Sequence, residues 1–440
     1  MNKLQVIDQI TEYFSYGTAY SGYIWYPKNL SKITEYAGRK CYNSNDKIGE
    51  DTDISFNKRT MKSVHLSVLA HGFIGIKLMV HESVYGTFDD TVQFIKQEVF
   101  DHAKLMNVRA DLEYHEIDIH FNIRSMIDLL NGVSKDLIEN KVRMHDVYIL
   151  TPLLLAIANS MEFLKPLYDL VSETILGDEL IKGDFNNITW RNKKINSSYT
   201  DEGAFVATTA IGEIANGSYK LEPYSVETPI NGIELNILNV SIEPQWLPKS
   251  KGYVIGHPYP AKQVSEEVLG SVTFHIRIPR IVSQQELRHW ESVFTDELMF
   301  ELSAVSQMSQ RYVNEENMEC YTRDTINRKK EYPVKIGNVE FMLTVDDLIE
   351  IDRQMYGNLL KDGFKKEEAR DILPNGTWTE VIITKEFRAL PHYFAERTAP
   401  GAQLEIRAYA SPLMDFMKSL EVKEDAFKPS KYNANLAEIK

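Results

Sequence analysis

The sequence predicts an α/β (α+β) protein in which a mixed or antiparallel sheet is flanked by helices. Three observations carry this. Segments 234–242 (ELNILNVSI), 271–278 (SVTFHIRI) and 378–386 (WTEVIITKE) are short and rich in β-branched residues, as strands are. Segment 344–363 (TVDDLIEIDRQMYGNLLKDG) steps its apolar residues at helical spacing between a threonine cap and a glycine stop. The 440 residues, 43% hydrophobic and 25% charged, supply a sizeable core over two or three domains.

The elements follow in chain order. KNLSKITEYAGRKCY at 28–42 reads as a helix after Ser31, and TMKSVHLSVLAHG at 60–72 as a second helix ending at Gly72. Residues 90–107 give a third. LEYHEIDIHFNI at 112–123 alternates like a strand, and 124–133 returns to helix. Residues 146–176 read as mostly helical and buried. Residues 177–233 are polar, weakly patterned and read as a linker or excursion. After the strands at 234–242 and 271–278 comes ELRHWESVFTDELMFELSAVSQMSQRYV at 286–313. Its Leu287, Phe294, Leu298, Leu302, Val305 and Met308 step at three or four, which predicts a buried helix with polar ends. The strand at 378–386 leads into the last helices, and the tail after 423 is polar. The expected organisation is an N-terminal half at 1–176, the excursion at 177–233, a C-terminal half at 234–422 and a tail at 423–440.

Charge and cysteine usage narrow the function. Forty-nine Lys and Arg against 63 Asp and Glu give a formal charge of −14, which opposes binding to long nucleic acid. A small phosphorylated ligand needs only a few local arginines. Cys41 and Cys320 form no metal or disulfide pattern. The N-terminus is too polar for a signal peptide, and the apolar run near 148–158 is broken by Pro152, so a cytoplasmic protein with no membrane span is expected. Glu116, Asp118 and His120 share one strand face, but a solvated face is the default and no metal is expected. There is no phosphate loop, GxGxxG or HExxH; ligand chemistry must come from side chains on regular elements.

The richest region is GFKKEEARDILPNGTWTEVIITKEFRALPHYFAERTAPGAQLEIR, residues 363–407. Arg370, Arg388, Arg397 and Arg407 either pair with Glu367, Glu396 and Glu405 on the surface or form a phosphate and carbonyl site, since guanidinium forks suit both groups. The stretch resembles the flavin-dependent thymidylate synthase family. Ala369, Arg370, Leu373 and Pro374 match that family's Ala-Arg-x-x-Leu-Pro turn. Glu386, Phe387 and Arg388 stand where it has Asn-x-Arg at a helix start. His392 to Arg397 match a helix ending in arginine, and Ala402, Gln403, Glu405 and Ile406 an Ala-Gln-x-Glu-Ile helix. Upstream, Pro279, Gln285, Arg288 and His289, then Ser309, Arg311 and Tyr312, resemble its Arg-Gln-x-x-Arg-His-Arg and Ser-x-Asn-Glu-x-Ser-x-Arg-Tyr blocks. The departures are Gln284 for the first Arg, Trp290 for the last, Ser306-Gln307 for Asn-Glu, and extra residues between His289 and Ser309.

The resemblance implies a thymidylate synthase-like fold and an FAD-dependent transfer of a one-carbon unit to C5 of a deoxypyrimidine monophosphate. The carbon donor would be 5,10-methylenetetrahydrofolate and the reductant NADPH. It implies Arg397 as the catalytic residue polarising the pyrimidine, and Gln285, Ser309, Gln310, Arg311, Tyr312 and Arg370 as its nucleotide-binding companions. Arg288, His289, Trp290, Arg388 and His392 would face the flavin. Glu386 in place of Asn disfavours an anionic cofactor phosphate nearby. Family subunits are about half this length and assemble as tetramers, so a homo-oligomer, dimer or tetramer, is expected. EYAGRKCYNS, LAHGFIG and FNIRSMIDLL resemble further family segments. They suggest a degenerate related N-terminal half whose Asn122 and Arg124 add flavin contacts; an unrelated extension is the rival. Conversion of dUMP to dTMP, hydroxymethylation of dUMP or dCMP, and a non-catalytic nucleotide-binding role remain open.

Overall fold

The computed structural model describes residues 9–16, 20–63, 65–80, 106–111, 116–127, 157–158, 164, 188–191, 221–243, 268–287, 292–295, 298–301 and 303–420. Two antiparallel sheets, of six and five strands, organise them, in keeping with the expected α/β (α+β) class. The expected helix before 106, nearly all of 146–176, the tail and Arg288, His289 and Trp290 lie outside the described residues.

The first sheet uses β1 (Gln9–Tyr16), β2 (Tyr20–Pro27), β3 (Phe73–Val80), β4 (Met106–Asp111), β5 (Glu116–Asn122) and β6 (Ile188–Arg191), in the order β4-β5-β3-β2-β1-β6. Its centre is tightly packed: a Cβ at Gly75 on β3 would fall 2.0 Å from the Trp25 indole. Two helices stand beside it, α1 (Leu30–Cys41) and α2 (Thr52–Lys62), with a 3-10 turn at Leu66–His71. The single helix expected over 60–72 is therefore two elements. Asn57 and Thr60 of α2 turn inward while His65 folds back, its N–H on the Thr60 carbonyl.

The second sheet uses β7 (Tyr224–Val226), β8 (Glu234–Ile242), β9 (Gly270–Pro279), β12 (Ser303–Gln307) and β15 (Trp378–Glu386), ordered β12-β15-β9-β8-β7. Strands β6 and β7 both come from 177–233, so that polar stretch closes an edge of each sheet. Alternation sorts β9 and β15 cleanly. Val272, Phe274, Ile276 and Ile278, with Val381 and Ile383, face a core shared with α6 (Leu390–Arg397) and α7 (Leu404–Lys418). The other face of β15 carries Glu380, Ile382, Thr384 and Glu386, and it meets the N-terminal half. Ile382 packs on Ala37 of α1, His71 bonds Thr384, and His120 of β5 reaches Glu386. A polar seam between the halves therefore runs along one strand.

The long helix expected at 286–313 is absent. Helix α3 (Arg280–Glu286) ends where it should begin, and β10 (Ser292–Thr295) pairs with β11 (Leu298–Glu301) as a hairpin before β12. The physical reason lies in the residues off the stripe. Val293, Met299 and Phe300 are apolar too, so a helix would be greasy all round, whereas the hairpin pairs Val293 with Phe300 and Phe294 with Met299. The extra residues between His289 and Ser309 are thus a hairpin excursion. A second hairpin, β13 (Tyr332–Ile336) with β14 (Val339–Leu343), precedes α4 (Val345–Lys361). Thr344 and Asp347 form a capping box on α4, and Gly363 ends it at φ +91°. The short α5 (Lys366–Ala369) follows.

Candidate active site

Strand β9 delivers Pro279, whose fixed backbone starts α3, and α3 ends at Gln285 and Glu286. The Gln285 side-chain amide donates to the Gln403 Oε1, and the Gln285 backbone carbonyl accepts from Arg397 Nη2 at 3.1 Å. Arg397, at the end of α6, keeps its buried Nε without a hydrogen-bond partner among the described residues. Beneath lies a closed network. Glu286, 2% exposed, accepts from Tyr393 Oη at 3.0 Å and Tyr409 Oη at 2.6 Å. Lys385 Nζ stands 3.7 Å from its other oxygen and 4.4 Å from the Tyr393 ring centre. Burial and the Glu286 charge push both phenols well above their usual range. These rings stay neutral and anchor α3 to α6 and α7, which fixes the Arg397–Gln285 pair.

The second block follows β12. The Ser309 N–H donates to the Cys41 carbonyl at 2.9 Å, so the end of α1 sets where this loop turns. Gln310 is buried beside Glu315, and its side-chain amide makes no full hydrogen bond among the described residues. Arg311 is half exposed, 3.3 Å from Glu367, and lies over the Tyr312 ring, which itself packs 4.9 Å from Tyr42. Arg370 gives its Nε to the Glu367 carbonyl. Nearby is a residue the sequence reading missed. Burial, and then the like charge of Arg370, lowers the pKa of Arg280, the first residue of α3. Two guanidinium groups held within reach of each other favour an anion between them. The Pro279-Arg280 step at a helix start was the available signal.

Among the described residues none of Arg370, Arg388, Arg397 and Arg407 forms an ion pair with Glu367, Glu396 or Glu405, so the surface-pairing alternative is not what the structure shows. Glu367 takes Arg311, while Glu405 is claimed by Arg323 at 2.7 Å and Tyr321 at 3.1 Å. Arg397 and Arg407 therefore have no carboxylate from either.

The flavin-side candidates sit at the seam. Arg388 donates its backbone N–H and its Nε to Glu386 Oε2 at 2.8 and 3.0 Å, while its buried Nη2 has no partner among the described residues. Burial raises the Glu386 carboxyl, but Arg388 and His120 outweigh it and hold it below the usual range. His120 stacks on Trp25 at 6.0 Å, and burial lowers its pKa despite Glu386. Asn122 caps the turn at 123–127 through Ser125 N at 2.9 Å, and Arg124 and His392 are half-buried. His120 thus brings the Asn122–Arg124 turn and the Glu386–Arg388 turn to one end of the seam. The unpartnered Arg388 Nη2 suits a cofactor acceptor; the pairing with Glu386 leaves it less free charge than a lone arginine. His71 lies between Thr384 Oγ1 and Ser306 Oγ, each at 2.9 Å, and burial lowers it to about 3, so it is a neutral strut. Burial also raises the Cys41 thiol, which argues against a thiolate nucleophile there. No cluster of metal-ligating side chains occurs among the described residues. No helix among them is long and apolar enough to cross a membrane.

Residues 259–420 match the family model described as Thymidylate synthase complementing protein. A flavin-dependent thymidylate synthase of Geobacter sulfurreducens is 32% identical over 152 residues, covering 34% of this chain and 57% of the relative. One of Sulfurisphaera tokodaii is 30% identical over 151 residues, 34% of this chain and 50% of the relative. The chain therefore spans about half the length of these curated relatives. The solved structure of a UMP/dUMP methylase PolB from Streptomyces cacaoi with 5-Br dUMP shares 19% identity, covers 44% of this chain and 94% of its own, and has a TM-score of 0.31.

Proposed function

We propose, on the premise that residues 259–420 belong to the flavin-dependent thymidylate synthase family, that the protein transfers a one-carbon unit to C5 of dUMP. The observation that carries this reading is Arg397, which holds the Gln285 backbone carbonyl and keeps its buried Nε unpartnered among the described residues; Arg280, at the start of the same helix α3, feels the like charge of Arg370. One site then offers a donor for a pyrimidine carbonyl and a cationic seat for a phosphate. Arg397 polarises the ring carbonyl and stabilises the charge that develops on it. Gln285 orients the base. Arg280, Arg370, Arg311 and the Ser309–Tyr312 turn, with Gln310, hold the phosphate. The family resemblance assigns FAD to Arg388 and His392 with Arg288, His289 and Trp290, and the Asn122–Arg124 turn reads as the N-terminal counterpart of Glu386–Arg388. The flavin, when bound, supplies hydride to the transferred carbon; 5,10-methylenetetrahydrofolate supplies the carbon and NADPH the electrons. Domain limits of 1–176 and 234–422, related halves and a homo-oligomer belong to the same proposal.

A second reading, hydroxymethylation of dUMP or dCMP, is favoured by one observation: Glu386 occupies Arg388, which alters the cofactor end of the site. Incubation with dUMP or dCMP, the folate and NADPH, followed by product mass, separates the two. A mass matching dTMP supports the first reading, and a mass heavier by one oxygen supports the second. Arg397→Ala is expected to lower turnover at least about 100-fold. A colourless protein with no flavin band near about 450 nm and no turnover would leave only nucleotide binding.

A further inference from the structure

Outside residues 259–420 the molecule carries a second cationic cleft. It has a volume of about 610 Å3 and is walled by α1, α2, the loop between them and the 66–71 turn. Arg39, Lys47, Arg59 and His65 line it, and no carboxylate is among its lining residues. Its floor is apolar, formed by Phe56, Val68 and Gly38. The floor is also tight, because a Cβ at Gly38 would come within 2.5 Å of the Phe56 ring.

Two features make this more than a basic patch. Arg39 and Arg59 both stand over the single ring of Phe56, at 5.1 and 5.5 Å from its centre. One aromatic ring thus gathers two guanidinium groups, whose like charges an anion joining them would relieve. Arg39 is nearly buried, and among the described residues its side chain gives only its Nε, to Glu35 at 2.7 Å, which leaves the outer fork for a ligand. The whole chain carries −14, so long-range attraction does not gather anions here and the cleft must select them locally. Its volume is that of a small-molecule site and far exceeds what a bare inorganic anion needs.

We propose that this cleft binds the phosphate of a nucleotide whose ring rests on its apolar wall, at a site separate from the one around Arg397. It rests on residues between Gly38 and Val68 alone, from α1, α2 and the turns beside them, and stands whether or not the pyrimidine reading holds. The test is calorimetric titration of the full chain with AMP and with inorganic phosphate, each in the presence of excess dUMP. AMP binding that persists under dUMP, weakens with added salt and falls at least about tenfold in a Lys47→Ala/Arg59→Ala variant supports the site. Both side chains are exposed, so the variant keeps its fold, and its melting temperature checks this. AMP binding that dUMP abolishes, or that the double substitution leaves unchanged, overturns the proposal. Phosphate binding as tightly as AMP overturns the nucleotide assignment.

Discussion

Replacing Glu380 by glutamine removes the charge that ties α1 to β15. Its Oε2 receives Lys40 Nζ, and His275 Nε2 stands 3.1 Å from the same oxygen. Burial raises this carboxyl, but His275 and Lys40 outweigh burial and bring it down to about 2 from an ordinary 4.5. At about 1.36 kcal/mol per unit that is about 3 kcal/mol at neutral pH. The Glu380 side chain is 25% exposed and Lys40 13%, so screening trims the expectation to about 2 kcal/mol. The sign follows from a folded pKa below the unfolded one. The contribution is full above about pH 4.5 and is lost as pH falls toward about 2. Urea unfolding followed by tryptophan fluorescence reads both halves, since Trp25 lies in the first sheet and Trp378 in the second. Glu380→Gln should lose about 2 kcal/mol at pH 7, and the gap from the parent should narrow below about pH 4. Because Lys40 adjoins Cys41, whose carbonyl holds Ser309, the variant should also bind dUMP more weakly. A gap under about 0.5 kcal/mol at pH 7, or one that stays constant down to pH 3.5, would refute the seam argument.

Three further outcomes are expected. Glu386→Asn removes the carboxylate on Arg388 and should tighten FAD about tenfold in a flavin-fluorescence titration; unchanged affinity places the flavin away from Arg388. Leu348, Ile351 and Met355 form an exposed apolar stripe on α4, and Phe341 and Met342 of the adjoining hairpin are exposed too. Burying each such side chain is worth roughly 1.5–3 kcal/mol, so Ile351→Lys should shift the chain to a smaller species in light scattering, while a monomeric parent sinks the oligomer reading. Tyr409→Phe removes the 2.6 Å bond to Glu286 and should cost about 1–3 kcal/mol while lowering turnover through Arg397. Turnover unchanged at saturating dUMP would make the network purely structural.

What the sequence disclosed and what it hid follow one physical division. Strands β8, β9 and β15 and helices α4, α6 and α7 were legible because period-two or period-3.6 patterning and caps are local. The 286–313 stretch failed because an apolar stripe at three or four also fits a hairpin once the intervening Val293, Met299 and Phe300 are counted. The strand pair β1–β2 was missed in an aromatic-rich segment screened only as a targeting signal. Of the candidate site, Arg397, Arg370, Gln285 and Arg311 enter through the family motifs they resemble, and their roles remain the proposal made above. The partners of His71 were not legible, since they lie 235 and 313 residues away, nor were those of Glu286, whose phenols come from other helices.

The hydrogen bond from Ser309 N–H to the Cys41 carbonyl has a kinetic side. Where such a loop and such a helix end sit on separate polypeptides, the site exists only after an encounter and decays on dilution. Here one chain supplies both, so the encounter is replaced by closure of a tethered loop, with an effective concentration on the order of millimolar. The 309–312 turn is then held at any protein concentration, and nanomolar dilution leaves this part of the candidate site intact.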